Sequence, residues 1–108
     1  MKNLLEETLS ALKLCNKTIH DIRWIGCGDF EIDKEDFFSL ADKEYDNGFG
    51  AAEVAGDLVI VGDYWWLERA EYDGSEWWEY KEKPKRPKEK KKVSRVIGDT
   101  WEKLGEMI

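Results

Sequence analysis

The stretch Leu58–Lys81, LVIVGDYWWLERAEYDGSEWWEYK, decides the fold. It divides into three runs rich in β-branched and aromatic residues, Leu58–Val61, Tyr64–Tyr72 and Glu76–Lys81, parted by Gly62-Asp63 and Asp73-Gly74. Both dipeptides suit tight hairpins, so the spacing predicts a three-stranded antiparallel meander. With two-residue loops, Val61 faces Tyr64, Ile60 faces Trp65 and Leu58 faces Leu67. Beyond the second turn Tyr72 faces Ser75, Ala70 faces Trp77 and Arg69 faces Trp78. Alternation then sorts the side chains. One face collects Leu58, Ile60, Trp65, Leu67, Trp78 and Tyr80, apolar enough to be a core. The other collects Val59, Trp66, Ala70, Tyr72 and Trp77, with Glu68 and Glu79 around them.

Elements that could cover the core face lie upstream. Asn3 and Glu6 form an N-cap and capping box, and Leu5, Leu9 and Leu12 recur at helical spacing, which predicts a helix over Leu4–Leu14. Thr18 and Asp21 mark a short turn. Ile22–Ile25 and Phe30–Ile32 bracket Gly26-Cys27-Gly28-Asp29 and read as a small extra hairpin. Asp33 starts a second helix with Asp36 in the capping-box place; Phe37, Leu40, Ala41 and Tyr45 form its apolar stripe, and Asn47-Gly48 closes it. The expected fold is therefore α+β: two N-terminal helices packed on a three-stranded antiparallel sheet, followed by a flexible basic linker and a short C-terminal helix.

The 108 residues, 42% hydrophobic with six Trp, supply one modest core. Charge divides the chain by position. Residues 1–80 hold 19 Asp/Glu against 7 Lys/Arg, a net of −12, and residues 81–108 hold 5 against 10, a net of +5. Three segments follow: an acidic α+β domain over 1–80, a basic Lys/Pro linker over 81–92, and an amphipathic terminal segment over 93–108. An acidic body repels nucleic acid and anionic membrane and attracts basic protein surfaces.

Two surfaces stand out as candidate partner sites. The acidic one comprises Asp33, Glu35, Asp36, Asp42, Glu44, Asp46, Glu53 and Asp57, which could stand in for a run of phosphates or could simply be a solvated face. The aromatic one, Trp66, Tyr72 and Trp77, sits on the side of the sheet that the helices do not cover. Either the first hairpin or the C-terminal segment packs there, or it is a binding surface. The run KEKPKRPKEKKK, with Lys85, Arg86, Lys88, Lys90, Lys91 and Lys92, has no apolar residue and reads as an extended spacer. Beyond it Asp99 caps an expected short helix with Trp101, Leu104 and Ile108 on one face. Docking back on the body is expected, since Trp101 is costly to leave in water.

Catalytic and metal patterns are missing from the sequence. His20 is the single histidine, and Cys15, His20 and Cys27 lack zinc-ligand spacing, so no cofactor or metal is expected and the cysteines are expected to be reduced. Asp29, Glu31 and Asp33 resemble the start of a calcium loop, but Lys34 stands where glycine is needed and Leu40 where a bidentate Glu is needed. Gly26-x-Gly28 and Gly48-x-Gly50 lack the further residues of phosphate loops. A chain of this size can hardly build a deep cleft, so it reads as a non-enzyme.

Three segments, EYDNGFGAAEVA (44–55), LVIVGDYWWLER (58–69) and EYDGSEWWEY (71–80), resemble a family of small proteins encoded in phages and prophages of Gram-positive bacteria. The resemblance, centred on Phe30–Trp78, covers about three-quarters of the chain with the helical start included, and carries over no catalytic residue. It implies action in the cytoplasm of an infected bacterial cell, which agrees with a start, MKNLLEETLSALKLC, that lacks an uninterrupted apolar run. Together with the acidic body it leads to one expectation: a phage-encoded inhibitor, anti-CRISPR-like, that occupies the basic nucleic-acid site of a host protein as a DNA mimic. A nucleic-acid-binding accessory using the basic tail ranks below it. So does a phage assembly adaptor that self-associates through Trp101.

Overall fold

The computed structural model describes residues 1–48 and 50–108. Asn3 initiates the first helix, its side-chain oxygen accepting from the Glu6 amide at 3.0 Å. Two strand residues, β1 (Lys2–Asn3), lead directly into α1 (Leu4–Leu14). The helix ends in a Schellman motif. Asn16 takes a left-handed φ of 59°, Lys17 donates to the Leu12 carbonyl at 2.8 Å and Asn16 to Lys13 at 3.0 Å. A 3-10 turn over Ile19–Asp21, capped by Thr18, feeds β2 (Ile22–Gly26). Then come β3 (Glu31–Ile32), α2 (Lys34–Ala41), β4 (Glu44–Tyr45), β5 (Val59–Gly62), β6 (Trp65–Tyr72) and β7 (Ser75–Glu82).

The architecture is α+β, and the sheet is larger than the meander. Five antiparallel strands run in the order β3-β2-β5-β6-β7. The small hairpin joins the sheet instead of standing apart. Ile25 of β2 pairs with Ile60 of β5, both fully buried, so the free edge of β5 and the apolar side of the hairpin are satisfied in one step. The helices are not both N-terminal either, since α2 is inserted between β3 and β4. It stops at Ala41, short of Tyr45, because Asp42 (φ −74°, ψ 66°) forms an inverse γ-turn with Lys43 donating to Ala41 at 2.7 Å. Tyr45 thus lies in β4, which pairs with β1 in a separate two-stranded ladder.

The two turns of the meander behave differently. Asp73 (φ 51°) and Gly74 (φ 83°) are both left-handed, as a type I′ turn requires. The β6–β7 register follows it: Tyr72 faces Ser75, Ala70 faces Trp77 and Arg69 faces Trp78. Between β5 and β6 the turn residues are Asp63 and Tyr64 rather than Gly62-Asp63, so Val61 faces Trp66 and Ile60 faces Leu67. Gly62 serves packing here, because a Cβ on it would lie 2.1 Å from the Trp65 indole. The register moves by two residues, which leaves every side chain on its expected face.

Both helices cover one face. Leu12 of α1 and Phe37 and Ala41 of α2 pack on Ile22, Ile25, Ile60, Trp65, Leu67 and Trp78. Beyond β7, which reaches two residues into the expected linker, the chain is exposed and without regular structure until the terminal segment. That segment forms no Asp99-capped α-helix. Ser94 closes it by donating its amide to Met107 at 2.7 Å, Arg95 pairs with Glu102, the Asp99 amide donates to Glu102 at 3.0 Å, and only a 3-10 turn, Leu104–Met107, is helical. The radius of gyration, 18.3 Å, far exceeds the ~13 Å of a compact chain of this length, because the tail extends away from the body.

Candidate functional site

The face of the sheet turned from the helices is built by alternation along β2, β5, β6 and β7. Trp24, Val61, Trp66 and Lys81 form one cross-strand row, and Glu68 and Glu79 face each other in the next. Ala70 and Trp77 follow, then Tyr72 at the hairpin end. The expected aromatic residues are therefore together, with Trp24 added. Trp66 is half-buried, Trp77 is 38% exposed and Tyr72 is 77% exposed. Side-chain bonds on this face stay within the sheet: Trp66 Nε1 donates to Glu68 at 2.7 Å, and Lys81 pairs with Glu79 at 2.7 Å. The Lys81 bond holds the Glu79 carboxyl below its ordinary range. Neither the first hairpin nor a hydrogen bond or ion pair from the C-terminal segment covers this face among the described residues.

The eight candidate acids divide by role. Asp33 caps α2 by accepting from the Asp36 amide at 3.1 Å. Asp42 accepts from Asn3 at 2.9 Å, Asp46 accepts from the Gly48 amide at 3.0 Å, and Glu53 accepts from the Asp46 amide at 3.0 Å. These four shape helix ends and loops. Glu35, Asp36, Glu44 and Asp57 are exposed, and their side chains make no hydrogen bond or ion pair among the described residues. A groove of about 850 Å³ brings Asp33 and Glu35 beside Trp24 and Arg23. Glu44 and Glu53 instead border an apolar cleft of about 350 Å³ lined by Leu4, Phe37, Leu40, Tyr45, Val54 and Leu58.

A buried polar cluster lies on the helix side. Arg69, its side chain only 4% exposed, reaches Glu76 at 2.9 Å, the Tyr45 hydroxyl at 3.0 Å and Glu7 at 3.4 Å. Tyr45 in turn donates to Glu7. The guanidinium also lies over the Trp78 ring, 4.7 Å from its centroid. Burial works against the Arg69 charge, but the bonds to Tyr45 and Glu76 and the field of Glu7 outweigh it and hold its pKa above the ordinary value. Burial and the bond to Glu7 push the Tyr45 phenol up to about 12 against the pull of Arg69. Glu76 also accepts from the amides of Glu53 (2.7 Å) and Val54 (3.3 Å), so it ties the loop after β4 to β7. The cluster is a structural clamp joining α1, β4, β6 and β7. Its one sequence sign was Arg69 falling on the apolar face opposite Trp78; α1 and β4 are placed by tertiary packing.

Lys85, Arg86, Lys88, Lys90, Lys91 and Lys92 are all exposed, and among the described residues their one ion pair is the long contact of Lys91 to Glu89 at 3.9 Å. Trp101 is 93% exposed, so the expected docking does not run through its indole; Met107 is the buried side chain of the terminal segment, at 5% exposure. The Arg95–Glu102 pair closes the segment on itself and turns Trp101, at a left-handed φ of 67°, outward. Cys15 and Cys27 are both free thiols; burial, then Glu82, push the Cys15 thiol up against the effect of Lys17. His20 is exposed and its ring has no hydrogen-bond partner among the described residues. Among those residues no group of three or more His, Cys, Asp or Glu is placed to hold a metal, and no helix is long and apolar enough to cross a membrane. Comparison with protein-family models, with curated proteins and with solved structures found no match.

Proposed function

We propose that this protein is a non-catalytic protein-binding module whose contact surface is the uncovered sheet face, centred on Trp24, Trp66 and Trp77. The observation that carries the reading is that Trp24, Trp66 and Trp77 fall by strand alternation on the side of the sheet opposite the buried Ile25, Ile60, Leu67 and Trp78, with Glu68 and Glu79 among them. Large aromatic side chains in a polar rim are the usual anchors of interfaces. Charge selects the partner class. A body with a net of −12 is steered toward a basic surface, and the commonest extended basic surfaces are those that hold nucleic-acid phosphates. The partner is therefore a nucleic-acid-handling protein, and the resemblance to small phage and prophage proteins makes it a host enzyme inhibited in the cytoplasm of an infected cell, in the manner of an anti-CRISPR protein. Glu35, Asp36, Glu44 and Asp57 supply attraction, whereas Asp33, Asp42, Asp46 and Glu53 chiefly hold the fold. This division favours steering plus aromatic anchoring over point-by-point imitation of a phosphate run.

The test is capture from a bacterial lysate followed by mass spectrometry, with a DNA duplex as competitor. The intact protein should retain a nucleic-acid enzyme that the duplex releases. A variant with Glu35→Gln, Asp36→Asn, Glu44→Gln and Asp57→Asn should retain much less of it. Equal capture by both proteins, unaffected by the duplex, overturns the reading.

A further inference from the structure

The five-stranded sheet ends on one side in β3, two residues long, and on the other in β7, eight residues long. We infer that β7 pairs antiparallel with β7 of a second copy of this chain, across a two-fold axis at Tyr80. Strand parity identifies the free backbone groups. The two-residue turn at Asp73-Gly74 makes Tyr72 and Ser75 a hydrogen-bonded pair, so odd-numbered residues of β7 bond inward to β6 and even-numbered ones point outward. Two bonds outside the ladder agree: the Lys83 amide donates inward to Tyr64 at 2.7 Å, and the Glu76 amide donates outward to Asn47 at 3.1 Å. The Asn47 loop therefore closes the Glu76 end of the edge. Among the described residues the outward backbone groups of Trp78, Tyr80 and Glu82 bond to no loop or strand, and such a row is a template for pairing with another chain. A groove of about 340 Å³ separates Ser10, Ala11 and Leu14 of α1 from Trp77 and Trp78, so α1 leaves this edge open.

Charges on an edge strand ordinarily blunt it, but those of β7 are complementary to themselves in one register. A pair centred on Trp78 would need the Glu76 amide, which Asn47 holds, and one centred on Glu82 would set Tyr80 against Pro84, which has no N–H. Centred on Glu79 or on Lys81, like charges would face each other directly. Centred on Tyr80, the pairs Trp78 with Glu82, Tyr80 with Tyr80 and Glu82 with Trp78 use every free outward group. On the open face Glu79 then meets Lys81 of the second copy at two symmetric positions, and Trp77 meets Lys83 at two more. Each such lysine also relieves the like-charge pair that Glu79 forms with Glu68 inside one sheet. The chain's own segments do not compete for the edge. The linker after β7 carries Pro84 and Pro87 and forms no strand, and the terminal segment is closed on itself by its Ser94–Met107 and Arg95–Glu102 bonds. The complementarity is that of one β7 with another, which a single copy does not hold. Because the contact is isologous, both edges close in one step and two five-stranded sheets become one of ten strands.

Sedimentation velocity over a range of concentrations, on the full chain and two single variants, tests this. The intact chain should form a dimer. Lys81→Glu places two carboxylates face to face at both symmetric positions, and Glu79→Lys places two ammonium groups there. Each should raise the dissociation constant at least about tenfold. Both side chains are 42% exposed, so both variants should keep the cooperative unfolding of the parent by circular dichroism. An equimolar mixture of the two should associate about as tightly as the intact chain, because every lysine then faces a glutamate across the axis. In the intact chain the amides of Trp78, Tyr80 and Glu82 should exchange with solvent more slowly as concentration rises. A monomer at every concentration overturns the inference. So does a dimer indifferent to both substitutions, or a pair of weakened variants that mixing does not restore. Capture through the broad face of the sheet can succeed in a monomer, so the two readings fail separately.

Discussion

Replacing Arg69 with methionine removes the one cation from the buried cluster and keeps most of the side chain's bulk. Two carboxylates, Glu76 at 2.9 Å and Glu7 at 3.4 Å, lose their counter-charge, and Tyr45 loses a donor at 3.0 Å. Breaking a buried pair by removing one partner costs about 3–5 kcal/mol. One term opposes this: Arg69 Nε is buried without a partner among the described residues, and an orphaned donor carries a penalty of about 1–3 kcal/mol that the substitution relieves. The net expectation is a loss of about 3 kcal/mol, or about 15–20 °C in Tm for a domain of this size. Urea unfolding followed by circular dichroism, with an unchanged m-value, measures it. Adding Glu7→Gln and Glu76→Gln to Arg69→Met removes the stranded charges and should recover at least half of the loss. A single variant within about 0.5 kcal/mol of the parent, or a triple variant less stable than the single one, would refute the clamp.

Gly62→Ala should destabilise by about 1–3 kcal/mol in the same assay, because the new methyl group collides with the buried Trp65 indole. Asp33→Ala should cost about 1 kcal/mol by exposing the start of α2, with Asp33→Asn close to neutral. Alkaline stability should report on Tyr45. Its folded pKa, about 12, lies above the ordinary 10.0, so its contribution is complete below pH 10 and is lost as pH rises toward 12. The loss amounts to about 2–3 kcal/mol, and Tyr45→Phe should flatten that part of the profile.

Much of this fold is legible in local chemistry, and the exceptions have specific causes. Asp73-Gly74 must adopt left-handed angles together, and that single demand fixes eight cross-strand pairs of β6 and β7. Gly62-Asp63 carries the same signal, but Gly62 is required by the ring of Trp65, so the turn moves one residue onward. The joining of β2 to β5 depends on pairing between segments over thirty residues apart, which no local pattern encodes. For the same reason local alternation puts Trp66 and Trp77 on one face of the meander and is silent on Trp24. The acids were visible as a class, yet which of them cap and which stay free follows from loop geometry. The terminal segment departs furthest from its pattern. Helical spacing of Trp101, Leu104 and Ile108 loses to the Arg95–Glu102 pair and the Ser94–Met107 closure.

Capture by the intact protein and by Trp66→Ala, run side by side, reads whether the sheet face of Trp24, Trp66 and Trp77 is the contact surface. Trp66 is half-buried on the open face and outside the helix-side core, so the variant should keep a cooperative unfolding transition. The DNA-releasable partner held by the intact protein should be lost or reduced at least about tenfold in the variant. Undiminished retention by a folded Trp66→Ala protein would contradict it.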